Sequence, residues 1–155
     1  MSFVVQGWCP GALRPMMSGD GLVVRVRPRM ARLTPLQVRG LATAALTHGN
    51  GLIDLTARAN LQLRGVRPEA HLALLDDLNG LGLLDADEAV ERHRNIVVSP
   101  FWTERDGTAE VAVAVEAVLC DPAYAAISGK FGVSIDPASP VLQGVSADIR
   151  IERQG

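Results

Sequence analysis

Between positions 56 and 64 every second residue carries a hydrogen-bonding or cationic side chain: Thr56, Arg58, Asn60, Gln62 and Arg64. Ala57, Ala59, Leu61 and Leu63 alternate with them. A β-strand sends successive side chains to opposite faces, so the spacing predicts one strand with an apolar face and a face of guanidinium, amide and hydroxyl groups. No carboxylate interrupts that polar face. Guanidinium groups clamp carboxylates through paired N–H donors, so the chemistry on offer is recognition of an anion. An ordinary solvated strand face fits the same residues. Arg94 and Lys130 stand near the starts of two further expected strands, where ligands commonly sit on mixed α and β scaffolds. Charge-assisted hydrogen bonds contribute roughly 1.5–3 kcal/mol each, so a polyanion touched by three or four of them is held well. No residue stands out as a general base or nucleophile.

The elements that must carry these groups follow from local pattern. Residues 7–15, rich in Gly and Pro, read as an irregular arm, and 18–21 as a turn. Residues 22–27 read as a strand, with Leu22, Val24 and Val26 on one face and Val23, Arg25 and Arg27 on the other; Pro28 ends it. Thr34 is an expected N-cap with Pro35 at the first helical position. Val38, Leu41, Ala42, Ala45 and Leu46 then keep helical spacing, and Gly49-Asn50-Gly51 stops the helix. Residues 52–55 form a short strand that bends near Thr56 into the polar-faced one. A second helix starts at 67–69, with Leu72, Leu75 and Leu78 as its buried stripe. The order is strand, helix, strand or hairpin, helix: an α+β unit of ferredoxin-like character over residues 1–82. An acidic segment at 85–91 leads into a second unit, 83–155. There the pattern predicts strands at 95–99, 130–136 and 147–152. It also predicts a helix capped by Thr108 with Val111, Val115, Val118 and Leu119 inward, and a helical turn at Asp121-Pro122.

Composition narrows the classes. With 48% apolar and 21% charged residues, the 155-residue chain is globular, and 4% aromatics makes its core aliphatic. No apolar run approaches the roughly 20 residues of a membrane helix. No secretory pattern opens the chain, and two cysteines, Cys9 and Cys120, fit a reducing cytoplasm. His48, His71 and His93 lack metal-site spacing; a helix-end charge, a solvent-facing ring and a structural ring are the expectations, and no metal site is expected. Asp54 is expected to pair with an arginine in a buried bridge. Residues 1–67 hold nine Lys/Arg against two Asp/Glu, and residues 68–155 hold six against fifteen. Such asymmetry points to an anion meeting the first unit, or to the two units attracting one another. A nucleic-acid-binding module is the competing class, with few aromatics for base stacking.

The motifs also resemble a family. The segment from Leu55 to Leu63, with Thr56, Arg58 and Gln62, looks like the Thr-x-Arg-x-x-x-Gln strand of the sirohaem-dependent nitrite and sulfite reductases. Arg94-Asn95-Ile96 is similar to their Arg-Asn-Val/Ile segment, and Lys130-Phe131-Gly132 to their Lys-Phe-Lys segment. Cys9-Pro10-Gly11-Ala12-Leu13-Arg14-Pro15 with Ser18-Gly19-Asp20-Gly21 resembles one branch, the precorrin-3B synthases of aerobic cobalamin biosynthesis. The resemblance implies an oxidoreductase acting on a polycarboxylated tetrapyrrole, precorrin-3A, by hydroxylation. It implies that Arg58, Asn60, Gln62, Arg94 and Lys130 bind the tetrapyrrole, with Thr56, Arg64 and Arg14 as further contacts. The complete family protein carries a 4Fe-4S cluster with iron or sirohaem. A cluster needs four thiolates, so none is expected to be held by this chain alone. The resemblance therefore implies an N-terminal part whose partner, a second half or another subunit, carries the cluster cysteines, and a homodimer that imitates the missing half. Gly132 replaces the second lysine of the sulfite and nitrite reducers, which favours the precorrin branch over a sirohaem reductase fragment.

Overall fold

In the computed structural model, which describes residues 9–137 and 141–153, the chain builds two sheets. β1 (Met16–Ser18), β2 (Gly21–Val26), β3 (Ile53–Leu55) and β4 (Leu61–Val66) form an antiparallel sheet in the order β1-β2-β4-β3. β5 (Ile96–Val98), β6 (Val133–Asp136) and β7 (Ile149–Glu152) form a parallel sheet in that order. Among the described residues four α-helices accompany them: α1 (Pro35–His48), α2 (His71–Gly80), α3 (Glu88–His93) and α4 (Thr108–Leu119). The α+β class expected from the pattern holds.

Local chemistry explains the first unit. Thr34 and Gln37 form a reciprocal capping box with Pro35 opening α1. Leu41, Leu63, Leu74 and Leu78 are the largest side chains of its core, each at most 2% exposed, and each burial contributes roughly 1.5–3 kcal/mol. The stripe of α2 is carried by Leu74 and Leu78, while Leu72 is exposed, because the helix proper begins at His71 after a 3-10 turn at Pro68–Ala70.

Three expectations change. The strand foreseen across 56–64 is a hairpin: β3 ends at Leu55, residues 56–60 turn, and β4 begins at Leu61. Thr56, Arg58 and Asn60 are therefore loop residues, and Ala59 takes a φ of 55° to close the turn. A bulge also breaks the alternation of β4 at Gly65, whose φ is 61°, between the Val24–Leu63 and Leu22–Val66 pairs. Second, two elements form that the pattern does not mark: β1 at 16–18, between the arm and the turn, and α3, which takes up the acidic segment from Glu88. Third, α4 starts after Gly107 rather than from a Thr108 cap, and buries Thr108, Ala112 and Leu119, leaving Val111 and Val118 exposed. One-sided burial against β5 and β6 selects a narrower stripe than the abundance of valine implies.

The charge asymmetry is used between the units. Arg29 ion-pairs with Glu116 and reaches Asp85 at 3.4 Å. Arg32 stacks 4.0 Å above the Trp102 ring and donates to the Pro100 carbonyl, while Trp102 donates to the Met30 carbonyl at 2.9 Å. A share of the basic surface of residues 1–67 thus faces the acidic unit rather than solvent.

Candidate functional site

A cavity of about 460 Å³ opens where the arm, the end of β2, α3 and the 128–130 turn meet. Four cationic side chains line it, Arg14, Arg27, Arg92 and Lys130, against two carboxylates, Glu88 and Glu91. Lys130 is exposed, and its backbone N–H donates to Ser128 Oγ at 3.2 Å, which closes the turn. Asn95 holds the chain just beyond it by donating from Nδ2 to the Phe131 carbonyl at 3.0 Å. Asn95 is thus a positioning residue for Lys130, which its place beside Arg94 in the sequence did not reveal.

Arg27 sits one residue past β2 and is 8% exposed. Its Nη1 donates to the Glu91 carbonyl, and its Nε has no partner. Burial lowers its pKa, with the Glu91 carboxylate opposing that shift. Glu91, on α3, is 5% exposed and accepts from the backbone N–H groups of Ala12 and Leu13, the latter at 3.2 Å. Burial raises its pKa in spite of those donors. The arm is fixed a second time by His71, whose Nε2 lies 2.8 Å from the Ala12 carbonyl oxygen; His71 is half-buried rather than solvent-facing.

Arg94 lies inside. It is 7% exposed, reaches both Asp85 oxygens at 2.8 and 2.9 Å, and donates to the Arg27 carbonyl at 2.9 Å. Its guanidinium is a brace between the units. Gln62 faces Arg25 across β2 and β4, its amide oxygen accepting from Arg25 Nη2 at 2.9 Å in the orientation that satisfies both groups. Arg64 lies 3.5 Å from Asp20 and 3.7 Å from Asp54; the Asp54 bridge exists but is exposed, not buried. His48 is buried at the end of α1, 2.8 Å from Asp77. His93 is buried too, with Nε2 3.1 Å from the Ile127 carbonyl.

The hairpin turn borders a second cavity of about 350 Å³, lined by Thr56, Ala59, Asn60 and Leu61 on one side and Pro28, Ala31 and Leu33 on another. The Thr56 N–H donates to the Asn60 carbonyl at 2.9 Å, and the Asn60 N–H to Thr56 Oγ1 at 3.2 Å, so the Thr56 hydroxyl and the Asn60 backbone close the turn that carries Arg58. The structure thus divides the candidate residues: Lys130 and Arg14 at the larger cavity, Thr56 and Asn60 at the smaller, Gln62 and Arg64 on the sheet, Arg94 in the interior.

Residues 14–81 match the family described as the nitrite/sulfite reductase ferredoxin-like half domain. That segment of the chain is such a half domain. It comprises β1 to β4 with α1 and α2, and contains the smaller cavity entirely; the larger cavity joins its Arg14 and Arg27 to residues on both sides of it in the sequence. The chain is 57% identical to a precorrin-3B synthase of Sinorhizobium sp over 61 residues, 39% of this chain and 13% of the synthase. It is 34% identical to a ferredoxin–nitrite reductase of Leptolyngbya laminosa over 94 residues, 60% of this chain and 18% of the reductase. A ferredoxin–nitrite reductase of Synechococcus elongatus matches at 34% over 88 residues, 56% of this chain and 17% of that protein. The chain thus spans a minor part of the length of these relatives.

Among the described residues no group of three or more His, Cys, Asp and Glu is placed to hold a metal ion. The two thiols of the sequence do not fit a cluster that takes four thiolates, so no step is drawn through one. No helix among the described residues is long and apolar enough to cross a membrane.

Proposed function

We propose that this chain supplies a tetrapyrrole-gripping part of a precorrin-3B synthase-like oxidoreductase, with residues 1–82 and 83–155 as its two units. The observation that carries the reading is the 57% identity with a precorrin-3B synthase over 61 residues, joined to a cation-rich cavity at the half domain's edge. The substrate is a polycarboxylated tetrapyrrole of the precorrin-3A type, and the whole protein's reaction is its hydroxylation. This chain's residues bind and orient. Lys130 and Arg14 at the larger cavity, and Arg58 on the hairpin turn, take carboxylate groups; Thr56 and Asn60 shape that turn. Gln62 and Arg64 hold the sheet beneath it, and Arg94 keeps the two units in register. The bond-making groups, with any cluster or iron, belong to residues beyond these.

Reduction of a small inorganic anion is the second reading, supported by the nitrite reductase matches. Gly132 weighs against it. It is buried, and a Cβ there would meet Asn95 Nδ2 at 3.0 Å, leaving little room for a second lysine beside Lys130. The nucleic-acid reading loses support because Arg27, Arg29 and Arg32 turn toward the second unit.

Titrating uroporphyrin, a polycarboxylated tetrapyrrole, into the 155-residue chain tests the reading. A change in the porphyrin absorption band that saturates, and that weakens as salt is added, is expected. No spectral change, together with a salt-sensitive RNA gel shift, would replace the reading with the nucleic-acid one.

A further inference from the structure

We infer that the larger cavity is a subsite for one short carboxylate arm of the ligand, anchored by Arg27 and rimmed by Arg92 and Lys130. Only the identity of the ligand rests on the tetrapyrrole reading; the oxyanion chemistry of the site stands on its own geometry. Neither Arg27 nor Arg92 was marked as a contact by motif spacing.

Size sets the first limit. A volume of about 460 Å³ lies in the lower part of the roughly 300–1,000 Å³ typical of small-molecule pockets. It accommodates an acetate- or propionate-sized arm, with a macrocycle lying outside. Charge sets the second. Four cations face two carboxylates, and Glu91 is already accepting from the Ala12 and Leu13 N–H groups and is pushed by burial toward its neutral form. The cavity is therefore undersupplied with negative charge.

The Arg27 Nε supplies the third observation. Buried donors are nearly always paired, yet this one has no partner while its residue lines the cavity. The atom is shielded from solvent, so a carboxylate seated against Arg27 reaches it only as the side chain swings toward the cavity, and the planar guanidinium then offers the paired donors that such a group prefers. Fourth, the wall is built for close approach. A Cβ on Gly129 would meet Arg92 Cγ at 2.7 Å and Arg92 Nε at 3.2 Å, so the Arg92 chain lies directly against the turn that presents Lys130. A Cβ on Gly11 would collide with the Glu91 carboxylate, so the arm also closes on its wall only through a glycine.

The test uses the full chain and two probes, succinate and uroporphyrin, with dissociation constants measured by calorimetry and by absorbance. Arg92→Ala and Lys130→Ala alter exposed side chains, so the fold should tolerate them, which thermal unfolding checks. Gly129→Ala displaces Arg92 without altering charge, and Arg105→Ala removes an exposed cation away from the cavity. Loss of one charge-assisted contact is expected to weaken both probes about tenfold or more in the Arg92, Lys130 and Gly129 variants, and not in the Arg105 variant. Succinate should also compete with uroporphyrin. Equal succinate affinity in all variants overturns the subsite. Uroporphyrin binding that ignores every cavity substitution overturns it too, while leaving the tetrapyrrole reading intact. Succinate binding that needs the cavity residues, with no uroporphyrin binding to the unsubstituted chain, upholds the oxyanion site and removes the tetrapyrrole reading.

Discussion

Replacing Arg94 by alanine separates a brace from a ligand contact. In the folded chain Arg94 and Asp85 bury each other, at 7% and 6% exposed, through contacts of 2.8 and 2.9 Å, and Arg94 also donates to the Arg27 carbonyl. Arg94→Ala leaves the Asp85 carboxylate buried, with Arg29 Nη2 at 3.4 Å as the nearest remaining cation, on a side chain 52% exposed. Removing one partner of a buried ion pair costs roughly 3–5 kcal/mol. Arg29 partly compensates, so about 3 kcal/mol is expected. Against a typical total of about 5–15 kcal/mol this is a large fraction, and at about 2–4 °C per kcal/mol it lowers the Tm by about 6–12 °C. Urea unfolding followed by far-UV circular dichroism, extrapolated linearly, measures the loss. Replacing both partners with apolar residues, Arg94→Met with Asp85→Leu, should recover much of it, since a well-packed apolar pair avoids the desolvation cost. The reasoning is refuted if Arg94→Ala unfolds within about 0.5 kcal/mol of the unsubstituted chain while uroporphyrin binding disappears. Arg94 would then serve the ligand and not the frame.

Three further outcomes follow from local geometry. Glu91 holds its proton more tightly folded than unfolded, so its contribution to stability is fully present below the ordinary glutamate pKa and is lost as pH rises through the raised folded value; Glu91→Gln should flatten that limb of a stability–pH profile. Thr34→Ala removes the capping box of α1 and should cost about 0.5–2 kcal/mol in the same denaturation assay. Gly65→Ala puts a side chain at a φ of 61° with its Cβ 2.7 Å from Asn50 Cγ, and should cost about 1–3 kcal/mol; a neutral effect would mean that the β4 bulge relaxes.

Legibility followed the range of the interactions. The cap at Thr34, the helix stop at Gly49 and the Asp121 turn all rest on contacts within a few residues, and the sequence pattern predicts each of them. The polar alternation across 56–64 misled for a local reason. A tight turn can continue a period of two in residue type while leaving the strand, and alanine at 59 does not advertise a positive φ. The valines of α4 misled for a tertiary reason: hydrophobicity marks which residues can be buried, and the width of the opposing sheet decides which are.

By itself the sequence determined the α+β class, most element positions, the basic and acidic division, and the set of cations from which a site could be drawn. Only the tertiary structure decided which of those cations meet a cavity and which meet a carboxylate. Arg94 found Asp85, nine residues away, whereas Arg27 found Glu91 across 64 residues and was left with an unpaired Nε. Periodicity encodes the faces that neighbouring residues share. The partner of a buried charge is chosen by whichever distant backbone and side chains packing brings within about 3 Å, and that choice is not written in any short stretch of chain.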